Sequence, residues 1–256
     1  MSIVELFYPA FILAILLVFI HTIFGLEIIK RGVIFTDLAI GQFAAIGVAV
    51  SLLFFEGNYA FLLTFAFALL GALLIAIATH RVEHIEAFIG MLYALGASAI
   101  IVLLSNTTQG TELFNKLQAT DILFTTLNDL VEPVLLYSFV AILFFTFYHR
   151  LSGLAREVLF FGLLALTVTS SVQLAGVLVV FVLLIVPAFL ALLQLRFKPL
   201  FFAWSFGSVI VISSMIFSYW LDLPTGYTIV FVGSLCGIVG ALLAGKKSRV
   251  KKLIKN

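Results

Sequence analysis

Apolar runs long enough to cross a lipid bilayer follow one another along this chain almost without interruption. A helix needs about 20 mostly apolar residues to cross the ~30 Å hydrocarbon core. Nine such runs can be marked, at 6–26, 33–55, 59–79, 87–105, 131–148, 158–173, 174–193, 200–221 and 227–244. The chain of 256 residues is 64% hydrophobic and only 10% charged. Soluble domains are about 45–50% apolar and about 25% charged, so too little polar surface is available here to coat a soluble fold. The predicted class is all-α: a polytopic transmembrane helical bundle of eight or nine spans, forming one domain over 1–256. Catalysis by an attached globular module is excluded, because no polar segment is long enough to make one. Glu5 is the sole charge before the first run, and neither a basic leader nor a small-residue cleavage site marks a signal peptide.

The sixth and seventh runs lack a polar linker, with only "TSSVQLAG" between them. Joined, they make 36 residues, about 54 Å as one straight helix. A break is therefore predicted in this stretch, which ends at Gly176. Pro187, within "VLLIVPAFLALL", is predicted to kink or interrupt the seventh run. Charge placement supports nine crossings. With Lys30 and Arg31 inside, alternation puts every Lys and Arg except Lys116 on the cytoplasmic side, the basic tail 245–256 included. The expectation is N-terminus out, C-terminus in. Trp204 and the pair Tyr219–Trp220 fall near opposite ends of the eighth run, as interfacial aromatics do. The longest hydrophilic segment, 106–130, falls outside and has room for a short helix or re-entrant piece around "FNKLQATDILF".

Few groups in the apolar runs can do chemistry. Asp37 stands about a turn into the second run, where a carboxylate is costly unless it pairs, is protonated or faces a cavity. It is a candidate for the substrate path; the plainer alternative is a local bond to Lys30 or Arg31. Gln42, five residues after Asp37 in "TDLAIGQFAAIG", is either a path residue or an interhelical hydrogen bond. His21, mid-run in "LLVFIHTIFGL", is either a ligand or an imidazole bonded to a neighbour. On straight helices His21 and Asp37 differ in depth by roughly 6 Å. Glu27 is placed to pair with Lys30 or Arg31. The cluster "HRVEHIEAFIG", with His80, Glu83, His84 and Glu86, reads as a solvated loop or a partner contact. Small residues recur on the second and fourth runs, from Ala39 to Ala49 and from Gly90 to Ser98, and let membrane helices approach closely. The lone Cys236 reads as packing. "GALLAGKKS" approaches a phosphate-binding loop, but Lys247 takes the position of its hydroxyl residue and an apolar span precedes it. This chain is not expected to hydrolyse ATP.

Four stretches in order resemble the permease subunits of ATP-binding-cassette importers for zinc, manganese and related divalent metals. They are "KRGVIFTDLAIGQFAAIGVAV", "EAFIGMLYALGASAIIVLLS", "VQLAGVLVVFVLLIVPAFLALL" and "LPTGYTIVFVGSL". The resemblance implies a non-catalytic, multi-pass subunit of the inner (plasma) membrane that binds no cofactor and carries a divalent metal as substrate. It implies a homodimer of permeases in the lipid bilayer, cytoplasmic ATP-binding subunits that drive alternating access, and an extracytoplasmic metal-binding protein. No nucleic-acid partner is implied. Asp37, Gln42 and His21 become candidate metal-path residues, Pro187 and Gly176 candidate gating or kink positions, and Arg150 and Arg156 candidates for ATPase docking in "HRLSGLARE". The family pattern pairs its aspartate with a histidine four residues on; here that position is Gly41. Aligning on the terminal GVA instead puts Gln42 in the place of the histidine. The alternatives are a permease for a metal chelate or small solute, or an ion-coupled secondary transporter, which would show inverted repeats.

Overall fold

The computed structural model describes residues 3–105, 122–194 and 196–244, with side chains from residue 7 onward and excepting that of Phe124. The basic tail, Lys116 and most of "FNKLQATDILF" lie outside the described residues. Nine α-helices are described: α1 Ile3–Arg31, α2 Thr36–Phe55, α3 Ala60–Arg81, α4 Ile85–Leu104, α5 Val131–Phe147, α6 Gly153–Ala175, α7 Val177–Leu193, α8 Pro199–Leu221 and α9 Thr225–Ala244. Two short 3-10 turns, Ile122–Phe124 and Asn128–Leu130, precede α5. Among the described residues there is no strand. Eight of the helices, α5 being counted from Asn128, are long and apolar enough to cross a membrane. The ninth, α7, has 17 residues and rises about 25 Å, slightly less than the hydrocarbon thickness. The helical, multi-pass class expected from the runs is the class found.

The helix ends follow local chemistry. α1 finishes with Lys30 and Arg31 in its last turn, where cations offset the negative end of the helix dipole. Lys30 Nζ lies 2.8 Å from Glu27 Oε1, the pairing expected at i+3. Gly32 then turns left-handed with φ 70°, as chain-reversing glycines after helices do. The break between α6 and α7 falls at Gly176, whose φ 85° and ψ 156° suit only a residue without Cβ. The stretch without a polar linker is mostly helix, and the predicted break is confined to its last residue: α6 continues through Thr169, Ser170, Ser171 and Gln173 to Ala175, and only the glycine interrupts. Pro187 does not interrupt the helix, because α7 runs on through it to Leu193.

The helices sort into two compact units. One contains α1, the 3-10 turns, α7, α8 and α9. Its centre is α7, with Val180, Leu183, Leu184, Ala188, Ala191 and Leu192 buried. α9 lies against it through a seam of glycines: added Cβ atoms at Gly233, Gly237 and Gly240 would press on Val182, Val186 and Leu190 in turn. That register makes α9 parallel to α7. A Cβ at Gly25 of α1 would collide with the Leu184 carbonyl, and one at Gly207 of α8 would meet Val18 and the Pro187 ring. α8 runs antiparallel to α1: Tyr219 packs edge-on against Phe7 at 5.1 Å, and Trp204 lies 5.0 Å from Phe19. The Trp204 indole N–H also donates to the Phe19 carbonyl at 3.0 Å. Cys236 is a free, partly buried thiol packed beside the Val182–Val186 cluster.

The other unit contains α2, α3, α4 and nearly all of α5 and α6. α2 is held on two sides. A Cβ at Gly47 would overlap Leu63 and Thr64 backbone atoms of α3, and one at Gly71 would touch the Phe43 ring. On the other side α4 runs parallel to α2, with Ile100 and Leu104 packed against Ala45, Ile46 and Ala49. Backbone-to-backbone proximity of this kind is how helices associate in lipid, where apolar surface alone gives no preference for protein over chain.

Gly47→Ala should therefore wedge α2 from α3, an overpacking cost of about 1–3 kcal/mol, and lower the thermal unfolding midpoint in detergent. Gly162→Ala is the matched control, because a Cβ there meets nothing within 4 Å. It should leave the midpoint unchanged or raise it slightly. Equal melting of both variants would refute the close α2–α3 contact.

Candidate functional site

α2 begins with buried polar side chains. Thr36 and Asp37 open it, and both are buried. The Thr36 hydroxyl donates back to the Val33 carbonyl at 2.7 Å, which closes the turn from Gly32. The Ile34 amide donates to Glu86 Oε1 of α4 at 2.6 Å. Glu86 is thus partly buried and bonded, whereas His80, Glu83 and His84 are exposed. The cluster is solvated except for this one carboxylate, which ties the chain leading into α2 to the first turn of α4.

Asp37 occupies the second position of α2, where a carboxylate interacts favourably with the helix dipole. It is only 2% exposed, and its Oδ1 has no hydrogen-bond partner among the described residues. Lys30, one candidate local partner, is engaged by Glu27. An unpaired carboxylate oxygen this deep carries a desolvation cost. Gln42, 8% exposed, lies five residues further on. At 3.6 residues per turn the two side chains diverge by about 140° and are offset by about 7.5 Å. They do not converge on one point of α2. Gln42 faces α4, where Gly96 leaves the room it needs: a Cβ there would come within 2.7 Å of Gln42 Cβ.

His21 belongs to the other compact unit. It is fully buried in α1, and its Nδ1 lies 2.8 Å from the Leu17 carbonyl. A carbonyl only accepts, so Nδ1 carries the proton of this bond. Among the described residues, no group of three or more His, Cys, Asp or Glu side chains is placed to hold a metal ion. Asp37 and Gln42 share a helix, and His21 sits in a separate packing environment.

The two arginines at the α5–α6 junction differ. Arg150 is exposed in the turn. Arg156 is partly buried, with its guanidinium 4.6 Å above the Tyr148 ring, a cation–π arrangement. Tyr148 is itself buried and stacks on Phe144 at 4.6 Å. The short loop is thereby clamped by aromatic packing at its base.

Four buried hydroxyls, Thr167, Thr169, Ser170 and Ser171, lie on α6. Sequence reasoning missed them, because three of the four fell in the stretch where the break was expected. The available signal was four hydroxyl residues within five positions of an apolar run. Gly240–Ala244, the start of the apparent phosphate loop, is helical and forms the end of α9.

The family model of the ABC 3 transport family matches residues 3–244. Among curated proteins, no sequence matches. A chain of PsaBC from Streptococcus pneumoniae, solved in complex with Fab, shares the fold with a TM-score of 0.76 at 22% identity, over 98% of this chain and 96% of that one. The fold likeness and the family match both span almost the entire length, including the α2 start with Asp37, the Gly176 break and the α7 proline. This chain is a membrane protein of the ABC 3 transport family.

Proposed function

We propose that the chain is the membrane-spanning permease subunit of an importer for divalent metal ions such as zinc, manganese or iron. Separate cytoplasmic ATP-binding subunits drive alternating access, and an extracytoplasmic binding protein delivers the metal. Two copies of this chain form the pathway in the inner (plasma) membrane. The observation that carries the reading is Asp37: a buried carboxylate oxygen without a partner, in the first turn of the helix where the family resemblance expects a metal-path aspartate. A hard or borderline cation suits that oxygen, and a single charged contact is weak enough to release its cargo.

Gly41 and Gln42 stand where the family pattern would have a histidine. An amide oxygen is a poorer zinc ligand than imidazole, so this composition favours an oxygen-preferring cation, or a metal chelate, over free zinc. The loop bearing the exposed Arg150, clamped by Arg156 on Tyr148, is the proposed ATPase-docking element. Gly176 and the α7 proline are the proposed points of flexure.

Uptake of manganese and zinc should be measured in vesicles containing this chain with its ATPase and binding-protein partners. Asp37→Ala is expected to lower transport by at least ~10-fold, which matches losing a charge-assisted contact. Gln42→Ala should change the preference between the two metals more than the maximal rate. His21→Ala should have the smallest effect, since its ring is bonded within α1. Unchanged uptake in all three variants would refute the pathway assignment.

The proposed topology is N-terminus out and C-terminus in. It is supported by the direction of α1, which is parallel to α7 and α9 within one unit, so that the start of α1 and the end of α9 lie at opposite ends of it. Cysteines introduced at Lys116 and in the tail at Lys252, in a Cys236→Ser background, should label from outside and inside respectively. Labelling of both from one side would overturn the arrangement.

A further inference from the structure

Thr169 differs from every other hydroxyl around it. Thr167 donates to the Leu163 carbonyl at 2.9 Å, and Ser171 donates to the Thr167 carbonyl at 2.8 Å. Ser170 accepts from the Tyr137 hydroxyl of α5 at 3.3 Å. Thr169, fully buried, leaves its Oγ1 with no partner among the described residues. A threonine in a helix can bond to the carbonyl one turn back, and Thr167 on the same helix does so. Thr169 forgoes that bond although burial makes an unpaired hydroxyl costly.

Among the described residues, the other buried side-chain oxygen in this condition is Asp37 Oδ1, in the same compact unit. Two oxygens with open lone pairs, in a unit whose other buried hydroxyls mostly bond within the protein, are placed for a guest that supplies positive charge or a donated proton. Intramembrane polar groups of this kind mark substrate pathways. A neutral hydroxyl adds an oxygen without adding charge, so it holds a divalent cation, or the water around it, only weakly. Weak holding is what conduction requires of an intermediate stop.

We propose that Thr169 contacts the cargo on α6, its Oγ1 offering an oxygen to a divalent cation or to that cation's hydration water during passage. The proposal rests on the metal-import reading above. With α2 and α6 both starting at the cytoplasmic side, Asp37 lies at the inner end. Thr169 lies about 24 Å along α6 from Gly153. The two oxygens then meet the cargo in succession, and Thr169 acts at the outer approach.

The test compares Thr169→Val, Thr169→Ser and Thr167→Val with the unaltered chain, in proteoliposomes containing the ATPase subunits and supplied with the binding protein. Initial uptake is measured over a range of Mn2+ and, separately, Zn2+ concentrations. Thr169→Val should raise KM for Mn2+ roughly 3- to 10-fold, the scale of one lost polar contact, with a smaller change for Zn2+. Thr169→Ser should restore the original KM, and Thr167→Val, whose hydroxyl bonds only to its own helix, should not alter it. An unchanged KM in Thr169→Val, or an equal shift in Thr167→Val, overturns the proposal. If Thr169→Val does not assemble, Thr169→Ala is judged by the same KM criterion against Thr169→Ser. If the unaltered chain moves neither metal, the metal-import reading itself fails and Thr169 falls with it; metal uptake with an indifferent Thr169 sinks only the present inference.

Discussion

In hydrocarbon no water is present to satisfy a backbone amide or carbonyl, so each segment must satisfy its own. The rest of this structure depends on that constraint. It forces nine successive segments into helices, and leaves side-chain shape as the means by which they recognise one another. Glycine does much of that recognition. Gly233, Gly237 and Gly240 admit Val182, Val186 and Leu190; Gly25 admits the Leu184 carbonyl; Gly47 admits the α3 backbone. Each contact trades a side chain for proximity, and proximity gains dispersion contacts that lipid could not supply better.

The same constraint makes unpaired polar atoms conspicuous. Among the described residues, three buried side-chain atoms lack a partner: Asp37 Oδ1, Thr169 Oγ1 and Arg156 Nε. The arginine has an evident compensation, since its guanidinium lies on Tyr148. The two oxygens have none, and both belong to helices of one compact unit. A transporter is expected to keep such oxygens, because a path whose polar groups were all internally satisfied would offer the cargo nothing in exchange for its hydration shell. Gln42 adds a third polar position on α2, but its direction toward α4 separates it from Asp37.

Several features were legible beforehand. Run length and charge asymmetry implied a multi-pass helical bundle, and Glu27 did pair with Lys30. The resemblance of four ordered stretches named the family that the match over 3–244 identifies. Other features were misread for physical reasons. The break expected within "TSSVQLAG" was placed at Gln173, three residues early, because polar or small residues crowd there, yet helix propagation needs only that each amide find its carbonyl. Ser170 and Ser171 are tolerated there because they bond to Tyr137 or to their own helix. Only Gly176, free to take φ 85°, ends the segment. Glu86 read as solvated because its neighbours are charged, but its bond crosses 52 residues to Ile34, and no local pattern reports such a contact.

The sequence by itself determined that this chain is helical, crosses a membrane many times and carries very few charges where lipid would be. Hydrophobic length and composition suffice for that, because they act one segment at a time. Tertiary structure decided which glycines meet which neighbours, that Gln42 faces Gly96 while Asp37 faces elsewhere, and that Thr169 alone among four hydroxyls goes unsatisfied. Those outcomes depend on helix rotation and on the identity of the neighbour across the interface. Neither is set by the residues of one helix, so packing had to place them.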